Sequence, residues 1–218
     1  MKKYLIKILI FLIGVAFSEE TNEIQFQYGI LLKSASKSDS IIALEDSSII
    51  HTGDEVRVNI GYPSGSYFYV IFVGTDGEYQ DFYSEKSPAG DSLFYATGLP
   101  WNKFDDTPGW ETFYLMTSVN PLTELESSLN KYEKSKGKIK LRLGNKIQSI
   151  LDNLTPSNRS IDHFASALEE PLVGGVTFRG DDDELLKDPS ITHTCSGKNG
   201  IALLTIKLNH KDIGIDDH

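Results

Sequence analysis

Tyr67 to Val73 reads Tyr-Phe-Tyr-Val-Ile-Phe-Val, seven residues that are all aromatic or β-branched. Such residues favour a pleated, packed surface, and a strand without polar alternation is stable only where both of its faces are covered. The run therefore predicts the central strand of a layered domain. Asp76-Gly77 follows with the chemistry of a tight hairpin turn, in which positive backbone angles cost glycine little, and Tyr79 to Tyr83 is expected to return as the partner strand.

Period-two patterning extends on both sides of this hairpin. Ile24, Phe26, Tyr28, Ile30 and Leu32 alternate in a first strand from Ile24 to Lys33, a Ser/Lys linker runs from Ser34 to Ser40, and Ile41 to Leu44 and Ser48 to His51 are short extended pieces. After the Thr52-Gly53-Asp54 turn, Val56, Val58 and Ile60 alternate with Arg57 and Asn59, which predicts a strand with one wet face. Ser84 to Leu99 is loop-like in composition. A Gly/Pro-punctuated loop, Trp101 to Trp110, leads to a buried strand from Thr112 to Ser118.

The period then changes. Asn120 is suited to accept hydrogen bonds from the first-turn amides of a helix and Pro121 carries a preset φ, while Leu122, Leu125, Leu129 and Tyr132 share one helical face. The helix is expected to stop near Gly137. Lys138 to Leu143 fits either a strand or a helix, with helix preferred from about Leu143 onward through Ile147, Ile150 and Leu154. Ser160 is expected to open another short helix, with Ile161, Phe164, Ala165 and Leu168 inward and Pro171 closing it. Strands return at Val176 to Arg179, Ile191 to Cys195 and Ile201 to Leu208, the last two read as a hairpin across Ser196 to Gly200. Strands, then helices, then strands predict a mainly β, α+β domain: an antiparallel β-sandwich-like body, residues 19–212, with a helical insertion of two to three short helices at about 120–170 and a polar tail at 213–218.

The N-terminus constrains where such a domain works. Lys2, Lys3 and Lys7 precede the apolar run Ile8 to Phe17 and the Ala16-Phe17-Ser18 ending, the pattern of a secretory signal peptide cleaved after Ser18. An uncleaved anchor is the alternative, but the run falls short of the roughly twenty residues that span a bilayer. Cleavage leaves eighteen of the 21 basic residues against 31 acidic ones and moves the formal charge from −10 to −13. A field of that sign predicts no nucleic-acid partner and no membrane after cleavage, leaving an envelope protein or glycan as the partner in the periplasm or outside the cell. With one cysteine, Cys195, the chain has no intramolecular disulfide. It must be held by packing, and about 200 residues can bury roughly 70% of their unfolded surface.

The chemistry-bearing constellations are weak. His193 and Cys195, two apart on a strand, share a face and have the residue types for a metal- or thiol-dependent hydrolase. Further zinc ligands would have to come from His210 or from Asp181 to Glu184, and the spacing matches no metal motif; a small buried filler is the preferred reading of Cys195. Asp181 to Glu184 lacks the spaced pattern of an EF-hand and reads as a solvated acidic loop. Gly-rich phosphate loops, nucleophile elbows and kinase signatures are absent, so no cofactor and no catalytic residue is assigned. Asn153 and Asn158 open glycosylation sequons. Trp101, Trp110 and Tyr95, with Phe94 and Phe104 around them, can stack on sugar rings or grip a peptide while Asp105, Asp106 and Glu111 bond hydroxyls; capping of a sheet edge is the alternative, and the preferred one.

GDEVRV (Gly53 to Val58), YFYVIFVGTDGE (Tyr67 to Glu78), Leu99-Pro100, PGWETFYLMTS (Pro108 to Ser118) and Asn120-Pro121-Leu122 together resemble the bacterial family called domain of unknown function 4384, over about one third of the chain. The resemblance implies a non-catalytic module of exported or signalling proteins and carries no catalytic residues. With the patterning, it points to a secreted or periplasmic binding module. The alternatives are the hydrolase on His193 and Cys195 and a structural subunit that pairs through a sheet edge.

Overall fold

A computed structural model describes residues 22–36, 41–90, 92–96, 99–104, 107–154, 160–163 and 193–212. The predicted signal peptide, part of the Ser/Lys linker, residues 164–171 of the last predicted helix, the predicted strand Val176 to Arg179, the acidic run Asp181 to Glu184 and the polar tail lie outside the described residues. In chain order the elements are β1 (Ile24–Lys33), β2 (Ile41–Leu44), β3 (Ile49–His51), β4 (Glu55–Pro63), β5 (Tyr67–Val73), β6 (Tyr79–Lys86), β7 (Leu93–Ala96), β8 (Asn102–Lys103), β9 (Gly109–Ser118), α1 (Thr123–Glu133), α2 (Gly137–Leu154), β10 (Ser160–His163), β11 (His193–Gly197) and β12 (Ile201–Lys211).

Two sheets form a mainly β, sandwich-like body with a helical layer on one side. The first sheet runs β10-β11-β1-β4-β7, with β2 beside the second half of β1 and β8 beside the start of β4. The second runs β3-β12-β9-β5-β6, antiparallel except where β12 meets β3. Between the sheets, Phe26, Ile30, Val58 and Ile60 face Phe68, Val70, Phe113, Leu115, Leu204 and Leu208 in one buried cluster. On the far face of the second sheet, Tyr69, Ile71, Met116 and Leu203 pack against Leu125, Leu129, Tyr132, Ile147 and Leu151 of the two helices. This explains the unalternated run: on β5, Phe68, Val70 and Phe72 point into the sandwich while Tyr69 and Ile71 point into the helical layer. The middle strand of that sheet is β9, however, with β5 beside it.

The β5–β6 connection is longer than the expected tight turn. Gly77 N–H donates to Gly74 O at 2.9 Å and Gly74 N–H to Glu78 O at 3.1 Å; Gly77 has φ +76° while Asp76 does not need a positive φ. Beyond it, β6 continues to Lys86 and β7 forms at Leu93–Ala96, within a stretch whose composition suggested a loop. A bulge between Val70 and Ile71 leaves Phe82 as the extra residue on β6, so both Phe82 and Tyr83 pack against the sandwich core. Phe82 then stacks on Phe72 at 5.0 Å and 11°, and the Tyr83 hydroxyl meets that of Tyr62 at 2.9 Å.

Five further expectations are corrected. Ser160–His163 is a strand paired with β11, because pairing against Ser196 to His193 outcompetes the helical spacing of Ile161 and Phe164. β11 and β12 are not a hairpin: β11 pairs with β1 in the first sheet and β12 with β9 in the second, so Ser196 to Gly200 carries the chain between sheets. Lys138 to Leu143 is helical throughout, and α1 starts at Thr123 with Leu122 as its cap rather than Asn120. The second face of β4 is drier than its polar residues suggested, since Asn59 is buried there.

Candidate functional site

At one end of the sandwich the β5–β6 turn, Asn102 to Phe104, Thr107 and the start of β9 enclose a cleft of about 220 Å³. Its position follows from local sequence. Gly109 has φ +148° and an added Cβ would lie 2.9 Å from the Thr75 side chain, so glycine lets β9 begin hard against the turn. The Thr75 hydroxyl donates to Thr107 O at 3.3 Å and fixes the two walls together. Phe72, Phe82 and Phe104 line the apolar side of the cleft, and Asp76, Gln80, Asn102, Lys103 and Glu111 supply acceptors and donors. Phe104 is held by two backbone bonds, its own N–H to Asp54 O at 3.0 Å and Gly53 N–H to its carbonyl at 3.2 Å. Asp54 is itself buried and accepts from Ala35 N and His51 N, both at 2.8 Å.

Behind the cleft wall lies a buried polar relay. Glu111 Oε1 is 3.3 Å from His210 Nδ1, and His210 Nε2 is 3.1 Å from Thr52 Oγ1. A neutral imidazole that donates from Nδ1 to the carboxylate accepts at Nε2 from the hydroxyl, so one tautomer satisfies both contacts. Acid, imidazole and hydroxyl in series have the connectivity of a nucleophile with its base and orienting group. Two observations favour a structural role. The His210 side chain is fully enclosed. The amides of Thr52, Gly53 and Asp54 donate to Lys211 O, Phe104 O and His51 O, so none of them points at the site of a developing oxyanion. The relay joins β9, β12 and the β3–β4 turn at the base of the cleft.

The residues singled out in the sequence divide among three surfaces. Tyr95 lies on the outer face of the first sheet, where its ring sits over Gly61 and its hydroxyl donates to Gln27 Oε1 at 3.2 Å. Trp101 lies on that face too, with the Arg57 guanidinium 4.6 Å from its ring centroid. Trp110 is on β9, not in a loop, and it faces away from the interior on the other sheet, 53% exposed. Phe94 and Phe104 turn inward, Phe94 edge-on to Tyr62 at 5.5 Å. The three proposed ligand-binding aromatics therefore do not converge on one site.

His193 and Cys195 do share a face, but it is the interior one. Cys195 is fully buried opposite Phe26, with its thiol 3.8 Å from Leu203 O, and His193 lies against Tyr28 with ring centroids 5.2 Å apart. No group of three or more His, Cys, Asp or Glu side chains suited to a metal ion occurs among the described residues. The cleft and relay escaped the sequence reading because their residues are distant along the chain, 99 positions between Glu111 and His210 and 158 between Thr52 and His210. Glu111 and His210 had been noted only as neighbours of other candidates. No family model, no curated protein and no solved structure matches this chain.

Proposed function

We propose that the protein is an exported bacterial binding module that holds one ring of an envelope glycan in the cleft at the sandwich end, without covalent chemistry. The observation that carries this is the lining: three phenylalanine rings together with carboxylate, amide and ammonium groups. That combination buries the apolar face of a sugar while its hydroxyls meet fixed donors and acceptors. The volume is below the roughly 300–1,000 Å³ of sites for drug-sized ligands, which favours a single ring over an extended ligand. At about −0.3 kcal/mol per non-hydrogen atom, a ring of about a dozen atoms binds with roughly −4 kcal/mol, a Kd of about 1 mM. The resemblance of the Gly53 to Leu122 region to domain of unknown function 4384 and the N-terminal export pattern support the same reading. The burial of His193 and Cys195 among the described residues weighs against the hydrolase alternative.

Saturation-transfer NMR with soluble cell-wall glycan fragments tests it. Transfer to the sugar protons is expected, and Gln80→Ala with Asn102→Ala should reduce it at least several-fold without changing the circular dichroism. Equal transfer in wild type and variant, or none with any fragment, overturns the assignment. Export is tested separately: the protein recovered from the envelope fraction should begin at Glu19.

A further inference from the structure

We infer that the first turns of α2 form a docking surface for an anionic phospholipid membrane. Between Lys131 and Lys146 the chain carries seven basic residues and one acidic residue, Glu133, a local net charge of +6 inside an acidic protein. Averaged charge predicted no affinity for anionic headgroups; the structure gathers the cations into one place. Lys140 is held by Glu78 and by the Tyr132 ring, and Lys146 pairs with Glu124. Among the described residues, Lys136, Lys138 and Arg142 make no ion pair, and all three side chains are exposed. Lys138, Leu141, Arg142 and Asn145 follow the i, i+3, i+4, i+7 spacing of one helical face, opposite the buried Gly144, Ile147 and Leu151. On that exposed face stands Leu141, 68% exposed.

A large aliphatic side chain set among cations suits the boundary between headgroups and acyl chains, where its apolar atoms enter and the lysine stems reach back to the phosphates. An acidic protein partner would match the charge but leave Leu141 without cover. The inference does not depend on what the cleft binds.

Co-sedimentation of the full chain with vesicles tests it. Wild type should bind phosphatidylglycerol/phosphatidylcholine vesicles, lose binding as salt rises, and bind pure phosphatidylcholine vesicles far less. At roughly five-fold per basic residue near the surface, Lys138→Gln with Arg142→Gln should lower the anionic-vesicle partition about 25-fold. Leu141→Ser should lower it roughly ten-fold while leaving the salt dependence in place. Circular dichroism of each variant should match wild type, as expected for exposed positions. Unchanged partition in the charge variant, or equal binding to both vesicle types, overturns the inference. So does capture of an acidic polypeptide or a second copy of the chain by this face without vesicle binding.

Discussion

Tyr69→Phe deletes one oxygen atom and should loosen the helical layer. The Tyr69 hydroxyl, at the junction of β5 and α1, accepts Leu122 N–H at 2.9 Å and donates to Glu126 Oε1 at 2.7 Å. Leu122 is the cap residue of α1 and has no side-chain cap of its own, so the strand beneath supplies, for the cap amide, the acceptor that the Glu or Gln of a capping box usually provides. Deletion leaves that amide without its acceptor and removes a hydrogen bond to a carboxylate, a loss of about 1–3 kcal/mol. For a chain of this length each kcal/mol lowers Tm by roughly 2–4 °C, so a fall of about 2–12 °C is expected. Urea unfolding should show a lower midpoint at unchanged slope, and hydrogen exchange should quicken first at Leu122 to Glu126. Tyr67→Phe is the control: its hydroxyl makes no hydrogen bond among the described residues, and its loss should cost less than about 0.5 kcal/mol. A Tyr69→Phe protein as stable as wild type, or equal losses in the two variants, would refute the strand-borne cap.

Burial raises Tyr62, Tyr69, Tyr79, Tyr83 and Tyr95 above the usual tyrosine range, with Tyr79 pushed up to about 12. These groups stabilise the fold fully below pH 10, and the contribution fades as pH rises from 10 towards 12 and beyond, because the unfolded tyrosines ionise first. Phenolate absorbance should therefore appear together with loss of the circular dichroism signal; complete ionisation in a still-folded chain would contradict it. The Cys195 thiol should resist an aromatic disulfide reagent in buffer and react once per chain in denaturant, and rapid reaction in buffer would place it outside the core. Gly109→Ala forces a Cβ against Thr75 at a positive φ and should cost more than about 1 kcal/mol while closing the cleft, measured by thermal unfolding and by loss of glycan signal. Wild-type stability would show that the cleft wall is not rigid.

Local patterning made the layers legible. The alternation in β1 and β4 and the unalternated β5 predict a sandwich with a cover on one sheet, because side-chain parity and burial are properties of a few neighbouring residues. Pairing partners are not. The Ser196 to Gly200 turn has hairpin chemistry, yet β1 takes β11 and β9 takes β12, a choice made by strands more than 75 residues away. Trp110 illustrates the same limit: with Phe113 and Leu115 inward, β9 parity turns Glu111 in and Trp110 out, against the apolar area that favours burying the indole. Asn120-Pro121 has the composition of a helix start, but the acceptor for α1 lies on Tyr69, 53 residues earlier than Leu122. The cleft was illegible for the related reason that its wall residues come from separate strands and acquire chemical meaning only when the sheets close.

Amide chemical-shift mapping of the isotope-labelled chain during titration with soluble cell-wall glycan fragments bears most directly on the proposed site. Saturable shifts are expected at Gly74 to Asp76, Gln80, Asn102 to Phe104, Thr107 and Glu111, with a Kd of about 1 mM. Shifts confined to Trp110 or to the outer face around Trp101 and Tyr95, or no saturable shifts at all, would contradict a ligand seated in the sandwich end.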